Sequence, residues 1–376
     1  MTSTAPQWPE PMSAHHWPEP VPARSLMGIT QSAFDPASRV RFIQYIPALR
    51  EAGWRVSHRP NRPDRQWRSP LHNRIARGVH YRGGRLVMKV NRLRDVREAG
   101  AYDVVFVNRD LAGPGLYLER ELWRWNARVV FDFDDAIFVG RNEPSVRWMC
   151  ENAAWVTPGN AYLAEYASRH SDRVTVIPTT IDTDRYEPKA WEGVDFDVPM
   201  RVGWTGSDQS IGTTLVPHLE MLARAQREFG FELVVVTNTK PTLSVPGLRW
   251  TFHPWSAEGE GMLSRIFDVG IMPLVDDEFQ RGKCGLKLLQ CMAAGIPTIA
   301  SPVGVNSEIV REGVTGFLAR TPDEWHDALG ALARSPALRV DMGRAGRARC
   351  EADYSLRRWF PTLQTIFERV GRDGHA

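Results

Sequence analysis

The amino-acid sequence predicts an α/β protein made of two domains, each with a parallel sheet. Its length of 376 residues suits two domains of ordinary size. Apolar, strand-like runs alternate with helical segments along most of the chain, which is typical of parallel layers. A composition of 43% hydrophobic and 24% charged residues is that of a soluble globular protein. Two hydrophobic cores are therefore expected.

The first half of the chain contains five apolar runs that predict strands and three segments that predict helices. The first helix ends at Gly53, a residue typical of the end of a helix. The predicted strands are Ser25–Thr30, Trp54–Ser57, Tyr102–Val107, Arg128–Phe133 and Val174–Ile177. The predicted helices are Val40–Ala52, Gly115–Trp125 and Asn160–Ser168.

The second half follows a predicted linker near Pro188 and Pro199 and repeats the alternation. Gly295 and Pro297 end its central helix, and Asn306 is expected to cap the next one. The predicted strands are Arg201–Thr205, Glu232–Thr237, Asp268–Leu274 and Thr298–Ser301, and the predicted helices are Leu215–Glu228 and Leu286–Ala294, with 275–285 as a loop. A last helix, Leu356–Val370, carries apolar residues on one face, namely Trp359, Leu363, Ile366 and Val370.

Four segments of the sequence resemble those of a known protein family. They are VIPTTID at 176–182, GKCGLKLLQCMAAGIPTIAS at 282–301, GVNSEIV at 304–310 and GVTGFL at 313–318. Together they resemble the donor half of retaining glycosyltransferase family 4, also called glycosyltransferase group 1. The resemblance covers roughly residues 100–370.

The resemblance implies the GT-B fold, in which two Rossmann-like domains with parallel sheets face each other across a cleft. It also implies metal-independent transfer of a sugar from a nucleoside diphosphate sugar to an acceptor, without a cofactor. The implied divisions are a disordered tail (1–24), an acceptor domain (25–190), a donor domain (195–350) and a C-terminal helix that crosses back (351–376).

The chain departs from the family pattern at its two glutamates, which fall here on Gly282 and Gln290. The family's Gly-Arg and Lys pair is also absent, since Trp204 follows Gly203. A divergent subfamily with a rearranged donor site is one interpretation. A non-catalytic nucleotide- or carbohydrate-binding homologue with a degenerate site is the alternative.

A glycine loop that enters a helix can bring backbone amides close to a diphosphate. Gly282, Gly285 and the helix start at Leu286 have this pattern, and Lys283 adds a cation that would stabilise the leaving phosphate. Lys287 lies in the first helical turn, where a cation is unfavourable for the helix dipole. Because of that cost, we expect Lys283 and Lys287 to bind a phosphate, although both can also be ordinary solvated lysines.

Five further positions are assigned to the nucleotide by their place in the family pattern. Gln290 lies where the ribose-binding glutamate would be, although it can also be a polar residue on a half-buried helix. The turn containing Gly203, Gly206 and Ser207 would approach the diphosphate, or it is only a tight turn. Trp255 could stack on the base or lie in the core.

In the first predicted domain, three aspartates lie in the segment VVFDFDDAIF. Asp132, Asp134 and Asp135 follow a strand, where side chains of a parallel sheet reach the ligand crevice. Three acids this close would raise one pKa, so Asp134 and Asp135 are candidates for orienting or deprotonating the acceptor. Metal binding and purely structural capping stay open as alternatives.

The acceptor site would also include Arg39, Arg109 and Asn160, each placed just after a strand or at a helix start, although surface or capping roles fit them equally. An arginine-rich patch between residues 65 and 85 is either a solvated face or a contact for an anionic acceptor, a partner or a membrane surface. This patch consists of Arg65, Arg68, Arg74, Arg77, Arg82 and Arg85.

The net charge, the cysteines and the apolar runs of the chain indicate its expected partners and cellular compartment. A formal net charge of +3 argues against nucleic acid binding. Four cysteines without a CxxC pair argue against a zinc site and a disulfide framework, and they fit a reducing cytoplasm. No run reaches the ~18 apolar residues of a spanning helix. The oligomeric state is not predicted.

Overall fold

A computed structural model describes residues 24–61, 74–113 and 115–372, with side chains described outside 74–82 and 85. The chain forms two compact units. The first contains the described residues up to Thr179 together with the C-terminal segment from Trp359, and the second contains Thr180–Arg358. The predicted N-terminal tail, apart from residue 24, lies outside the described residues.

The first unit is a five-stranded parallel sheet in the order β2-β1-β3-β4-β5. Its strands are β1 (Ser25–Thr30), β2 (Arg55–Pro60), β3 (Val104–Asn108), β4 (Val129–Phe133) and β5 (Trp155–Pro158). Its helices before the linker are α1 (Pro36–Arg41), α2 (Ile46–Glu51), α3 (Arg74–Glu98), α4 (Tyr117–Trp125), α5 (Glu143–Asn152) and α6 (Ala161–Ser168).

Most of the predicted elements of this unit are present, and the differences have physical causes. Four predicted strands form, but Val174–Ile177 contributes only an isolated bridge, and Trp155–Pro158 is the edge strand instead. The helix predicted over 40–52 is divided by a 3₁₀ turn at Ile43–Tyr45, because Pro47 has no amide hydrogen and fits only the first turn of a new helix.

The second unit is a six-stranded parallel sheet in the order β11-β10-β9-β6-β7-β8. Its strands are β6 (Arg201–Thr205), β7 (Glu232–Thr237), β8 (Trp250–Pro254), β9 (Val269–Met272), β10 (Thr298–Ala300) and β11 (Gly316–Leu318). Its helices are α7 (Asp208–Thr214), α8 (Leu219–Phe229), α9 (Ala257–Glu260), α10 (Glu278–Arg281), α11 (Leu286–Ala293), α12 (Asn306–Ile309), α13 (Pro322–Arg334) and α14 (Pro336–Asp353), and α15 (Leu356–Arg372) ends the chain.

Two predictions for this unit are wrong in detail. The loop predicted over 275–285 contains the short helix α10. Asn306 does not cap α12 but is its first residue. Its side chain is fully buried and donates from Nδ2 to the Ser301 carbonyl at 3.0 Å. A local capping signal is overridden here because the side chain finds a tertiary partner.

The C-terminal helix α15 packs its apolar face against the core of the first unit. Phe367 is fully buried, and its ring lies 6.1 Å from that of Trp54 and 5.9 Å from that of Phe106. The four residues predicted to face a core are all buried. The first unit is therefore completed by a segment more than 180 residues away from the rest of its sequence.

Residues of the predicted linker are bound to the second unit. Lys189 donates to the carbonyls of Ser264 and Phe267 and forms a 2.8 Å ion pair with Asp268. Burial alone would raise the pKa of Asp268, but hydrogen bonds from Arg201 and Lys189 lower it to about 2. The linker therefore has fixed partners within this unit.

Candidate functional site

The order of the strands locates the crevice of each sheet. In an open parallel sheet, ligands bind outside the carboxyl ends of the strands where the winding direction reverses. This point lies between β6 and β9 in the second unit and between β1 and β3 in the first. The loops that leave these strands contain most of the residues predicted from the sequence.

In the second unit, the glycine loop turns into α11 at Gly285. This residue has a φ of +71°, and a Cβ atom there would lie 2.1 Å from Cδ1 of Ile309, so both conformation and space require glycine. The first bonds of the helix run from the amides of Leu288 and Leu289 to the Gly285 carbonyl. The amide of Leu286 therefore lies at the positive end of the helix dipole.

The two predicted lysines of this loop lie against aromatic rings. Lys283 places Nζ 5.0 Å from the centre of the Phe279 ring, and Lys287 places Nζ 5.1 Å from that of Trp204. Trp204 lies in β6 and is fully buried, and a Cβ atom on Gly206 would lie 2.6 Å from its ring. Lys287 and the turn after β6 thus approach the same tryptophan. Gly282, at the end of α10, is buried beneath this loop.

The turn after β6 has mainly structural contacts. Gly203 lies within the strand, where a Cβ atom would fall 2.1 Å from the Phe267 ring, so this glycine makes room for the core and not for a phosphate. Ser207 caps α7 by accepting a bond from the Ser210 amide at 3.3 Å. Asp208, which sequence reasoning did not select, accepts a bond from the Thr237 hydroxyl at 2.9 Å. These bonds hold the turn beside the end of β7.

Gln290 is buried, and its amide group is part of a network. Nε2 donates to Oε1 of Glu260 at 2.6 Å, and the Tyr186 hydroxyl donates to the same oxygen at 2.8 Å. The amide nitrogen predicted to bind ribose is therefore bound to a carboxylate. Glu260 comes from α9, so the fold brings a carboxylate next to the position that lacks one. No local sequence signal identifies this residue.

Trp255 follows β8 and is half-buried against the core of the second unit. Its amide donates to the Thr237 carbonyl at 2.9 Å, which extends the pairing of β7 and β8. One face of the side chain is therefore occupied by the core. The assignment to base stacking stays a prediction.

The loop after β10 contacts the segment that follows β9 at two points. The Ser301 hydroxyl accepts a bond from the Leu274 amide at 2.9 Å, which joins it to the loop after β9. A Cβ atom on Gly304 would lie 2.4 Å from the Arg281 carbonyl. Burial raises the pKa of Glu308, an acid in the quoted GVNSEIV segment that was not selected as a site residue.

In the first unit, Arg109 follows β3 with a φ of 65°, and among the described residues it is the only non-glycine with positive φ. Its Nε donates to Asp134 at 2.8 Å and its Nη2 to Asp135 at 2.6 Å. Burial would lower the pKa of Arg109, but the two carboxylates raise it well above its usual value. A strained backbone held by ion pairs is a feature of functional sites.

Asp132 does not reach the crevice as predicted. It is 1% exposed and forms a bidentate ion pair with Arg41, at 2.6 and 3.1 Å. Asn108 and Thr157 also donate to it, both at 2.9 Å. Burial raises its pKa, against the effect of Arg41. One acid of the cluster thus has a raised pKa as expected, but the main cause is burial and not the neighbouring acids. Through its ion pair with Arg41, Asp132 anchors α1 instead of binding an acceptor.

The two remaining acceptor candidates have different surroundings. Asn160 is 2% exposed and caps α6, with Oδ1 accepting a bond from the Leu163 amide at 2.9 Å. Its predicted alternative role as a cap is thus the observed one. Arg39 is half-buried in α1, and its amide donates to the Asp35 carbonyl at 3.0 Å.

Within the described residues, no group of three or more His, Cys, Asp or Glu side chains is arranged to hold a metal ion. No helix in the described part of the chain is long and apolar enough to cross a bilayer. Of the arginine-rich patch, residues 65–73 lie outside the described residues, as do the side chains of Arg74, Arg77, Arg82 and Arg85.

Comparison with known proteins finds similarity to one family over part of the chain. Residues 213–335 match the model of group 1 glycosyl transferases. D-inositol 3-phosphate glycosyltransferase of Pseudarthrobacter chlorophenolicus is 37% identical over 114 residues, which is 30% of this chain and 26% of that protein. The same enzyme of Segniliparus rotundus is 24% identical over 208 residues, 50% of this chain and 45% of that protein. The first of these matches spans only about a quarter of the relative's length.

Solved structures extend the similarity of fold to nearly the whole chain. Sucrose-phosphate synthase from Thermosynechococcus elongatus superposes with a TM-score of 0.68 at 18% identity, over 92% of this chain and 99% of that one. Anabaena HepE, solved with UDP and glucose, has a TM-score of 0.63 at 14% identity, over 94% and 100%. The predicted GT-B fold is confirmed, and so is the resemblance to group 1 glycosyl transferases.

Proposed function

We propose that this chain is a nucleotide-sugar-dependent glycosyltransferase that transfers a sugar to an acceptor with retention of anomeric configuration. The observation that carries the proposal is the turn at Gly285, which opens α11 beside two lysines at the point where the second sheet reverses its winding. This turn lies inside the segment that matches group 1 glycosyl transferases. That HepE was solved with UDP and glucose supports the same donor class.

The residues of this turn are suited to a leaving diphosphate. When the bond between the sugar's anomeric carbon and the phosphate oxygen breaks, the electron pair moves to that oxygen and negative charge grows there. The amide of Leu286 and the ammonium groups of Lys283 and Lys287 can stabilise this charge without a metal ion. Each lysine would leave an aromatic ring for a phosphate, which is the stronger partner.

For retention, the acceptor oxygen would bond to the anomeric carbon on the face that the phosphate leaves, and its proton would pass to the departing phosphate oxygen. We assign the acceptor to the carboxyl edge of the first sheet. There Asp134 and Asp135 can accept hydrogen bonds from hydroxyl groups, while Arg109 holds both carboxylates in place. Arg39 stays a candidate for a charged acceptor group, and a glycan, a lipid-linked intermediate and a small natural product all fit this chemistry.

A second candidate function is nucleotide or carbohydrate binding without catalysis. It is favoured by Gly282 and Gln290, which replace both acids of the family pattern. The contact between Gln290 and Glu260 argues for the enzyme, because it restores a carboxylate beside the substituted position.

Incubation with nucleotide sugars separates the two candidates. A thermal-shift series with UDP, GDP and ADP first identifies the base. The protein is then incubated with the corresponding sugar nucleotides, and free nucleotide is measured over hours. A glycosyltransferase should release nucleotide slowly by hydrolysis, whereas a binder should show the thermal shift without release. A protein that binds none of the nucleotides would contradict the glycosyltransferase and the nucleotide binder, and only carbohydrate binding would then be left.

A further inference from the structure

Helix α10 presents one aromatic side chain outward at the carboxyl edge of the second sheet. Phe279 is 40% exposed, whereas its neighbour Gln280 is buried. Asp277 caps the helix, with Oδ1 accepting a bond from the Gln280 amide at 2.7 Å. A Cβ atom on Gly304 would lie 2.4 Å from the Arg281 carbonyl, so the loop after β10 packs closely against the end of this helix. The position of Phe279 is therefore fixed by the surrounding turn.

The ring of Phe279 contacts a lysine that the proposed function assigns to the diphosphate. Nζ of Lys283 lies 5.0 Å from the centre of this ring. The amide of Lys283 donates to the Gln280 carbonyl at 3.1 Å, so the backbone of the lysine is bound to α10. A phosphate that binds the ammonium group would therefore move the side chain and not the backbone. This movement would uncover the face of the ring that the lysine occupies.

We propose that the uncovered ring of Phe279 stacks on the sugar that the nucleotide carries. This inference rests on the proposed function, because it requires a nucleotide sugar at this edge. In such a donor, a single oxygen joins the anomeric carbon to the terminal phosphorus, so the sugar ring is the group next to the phosphate. The C–H groups on one face of a pyranose carry a small positive partial charge, and the face of an aromatic ring is negative. The base fits this position less well, because the ribose and a second phosphate separate it from the terminal phosphate.

The two side chains would divide the donor between them. In the structure, Lys283 and Phe279 contact each other. With a nucleotide sugar bound, the lysine would bind the phosphate and the ring would bind the sugar. The ring is therefore expected to add affinity for the sugar nucleotide, and to compete with free nucleoside diphosphate for the lysine.

Calorimetric titration of the full chain with two ligands tests this proposal. The base is the one that binds among UDP, GDP and ADP, and the free nucleoside diphosphate is compared with its tightest-binding conjugate among those of glucose, mannose and N-acetylglucosamine. In Phe279→Ala, the diphosphate should bind roughly two- to fivefold more tightly, because Lys283 no longer leaves a ring to bind it. The ratio of sugar-nucleotide affinity to diphosphate affinity should fall by at least roughly fivefold. The ratio isolates the ring, because the lysine contributes to the binding of both ligands.

Three further variants serve as controls. Phe279→Tyr keeps an aromatic ring and should keep the ratio. Met262→Ala shortens another exposed side chain of the second unit and should bind both ligands like wild type. If Phe279→Ala does not fold by circular dichroism, Phe279→Leu replaces it. Leucine is apolar but has no ring face, so the ratio should still fall.

The outcomes separate this inference from the function on which it rests. An unchanged ratio in Phe279→Ala would overturn the inference and leave the proposed function intact. An equal loss of affinity for both ligands would assign the ring to the base or to support of the loop, and it would overturn the inference as well. Wild-type protein that binds no nucleotide would overturn the proposed function and the inference together.

Discussion

The carboxyl edges of the two sheets use charge in opposite ways. At the edge of the first sheet, cations and anions of the protein pair with each other, as Arg41 does with Asp132 and Arg109 with Asp134. At the edge of the second sheet, Lys283 and Lys287 lie against aromatic rings. The charged side chains named at the first edge are thus held in ion pairs, whereas the two lysines of the second edge lie beside aromatic rings.

This difference indicates what each edge can bind. A lysine over an aromatic ring gains roughly 0.5–1 kcal/mol at an exposed site and about 2 kcal/mol when desolvated, and a hydrogen bond from the ammonium group to a phosphate contributes about 1.5–3 kcal/mol. A carboxylate held by an arginine keeps its position and can accept hydrogen bonds from a hydroxyl with its remaining lone pairs. The second edge is thus suited to a polyanionic donor and the first to a hydroxyl acceptor.

The largest effect is expected from breaking the buried pair of the first unit. Arg41→Met leaves Asp132 buried without its cation, which should lower the free energy of unfolding by about 3–5 kcal/mol. Denaturant unfolding measures this loss. The double variant Arg41→Met/Asp132→Leu is the control, because removing both charges should recover much of the stability. A single variant as stable as wild type would mean that the pair does not fix α1.

A second test concerns Glu119, a buried acid of the first unit that accepts a 3.0 Å bond from the Ser145 hydroxyl. Burial raises its pKa from 4.5 to about 7. Between these values the folded protein holds a proton that the unfolded chain has lost, so this group makes the protein less stable as pH rises. Glu119→Gln should therefore gain up to about 3 kcal/mol at pH 8 and little near pH 4.5.

Urea unfolding at the two pH values measures this difference. The wild-type protein at each pH is the reference, so that other titrating groups cancel. An equal change in stability at both pH values would show that the pKa of Glu119 is not raised in the folded protein.

The third prediction tests whether Lys283, one of the two lysines at the second edge, binds the diphosphate. Lys283→Ala should weaken binding of the preferred nucleoside diphosphate by roughly 1.5–3 kcal/mol, the range for a charge-assisted hydrogen bond. Calorimetric titration measures the affinity, and the melting temperature should hardly change. Lys240→Ala is the matched control, since Lys240 is an exposed lysine of the same unit. Equal affinity in both variants would remove Lys283 from the donor site.

The smallest effect is expected at the first edge, where the acid is already paired. Asp134→Asn should reduce turnover by roughly tenfold, below the usual range for a general acid or base, because its proposed role is to orient the acceptor. The affinity for nucleoside diphosphate should not change. Activity should also persist in EDTA. Activity that EDTA abolishes and Mn²⁺ restores would favour a metal role for the aspartates.

The second edge was more predictable than the first because its features are local in sequence. Gly285 is required by a turn that its own neighbours form, and the strand, loop and helix around it follow within about 35 residues. The partners of Asp132 lie 24 to 91 residues away from it in the sequence. No periodic pattern indicates which of the three acids pairs with Arg41, so the acceptor assignment of Asp132 could not be corrected before the fold was known.

The sequence by itself determined the alternation of strands and helices, the GT-B fold implied by the resemblance and the apolar face of the last helix. The alternation and the apolar face follow from short-range periodicity and from glycine and proline positions, which act within a few residues. The fold is what the resemblance of the quoted segments implies. Only the tertiary structure decided that Gln290 contacts Glu260, that Arg92 of α3 donates to the Thr30 carbonyl and that Arg109 holds two aspartates. Each of these contacts joins groups from separate parts of the sequence. Such pairing depends on which elements become neighbours in space.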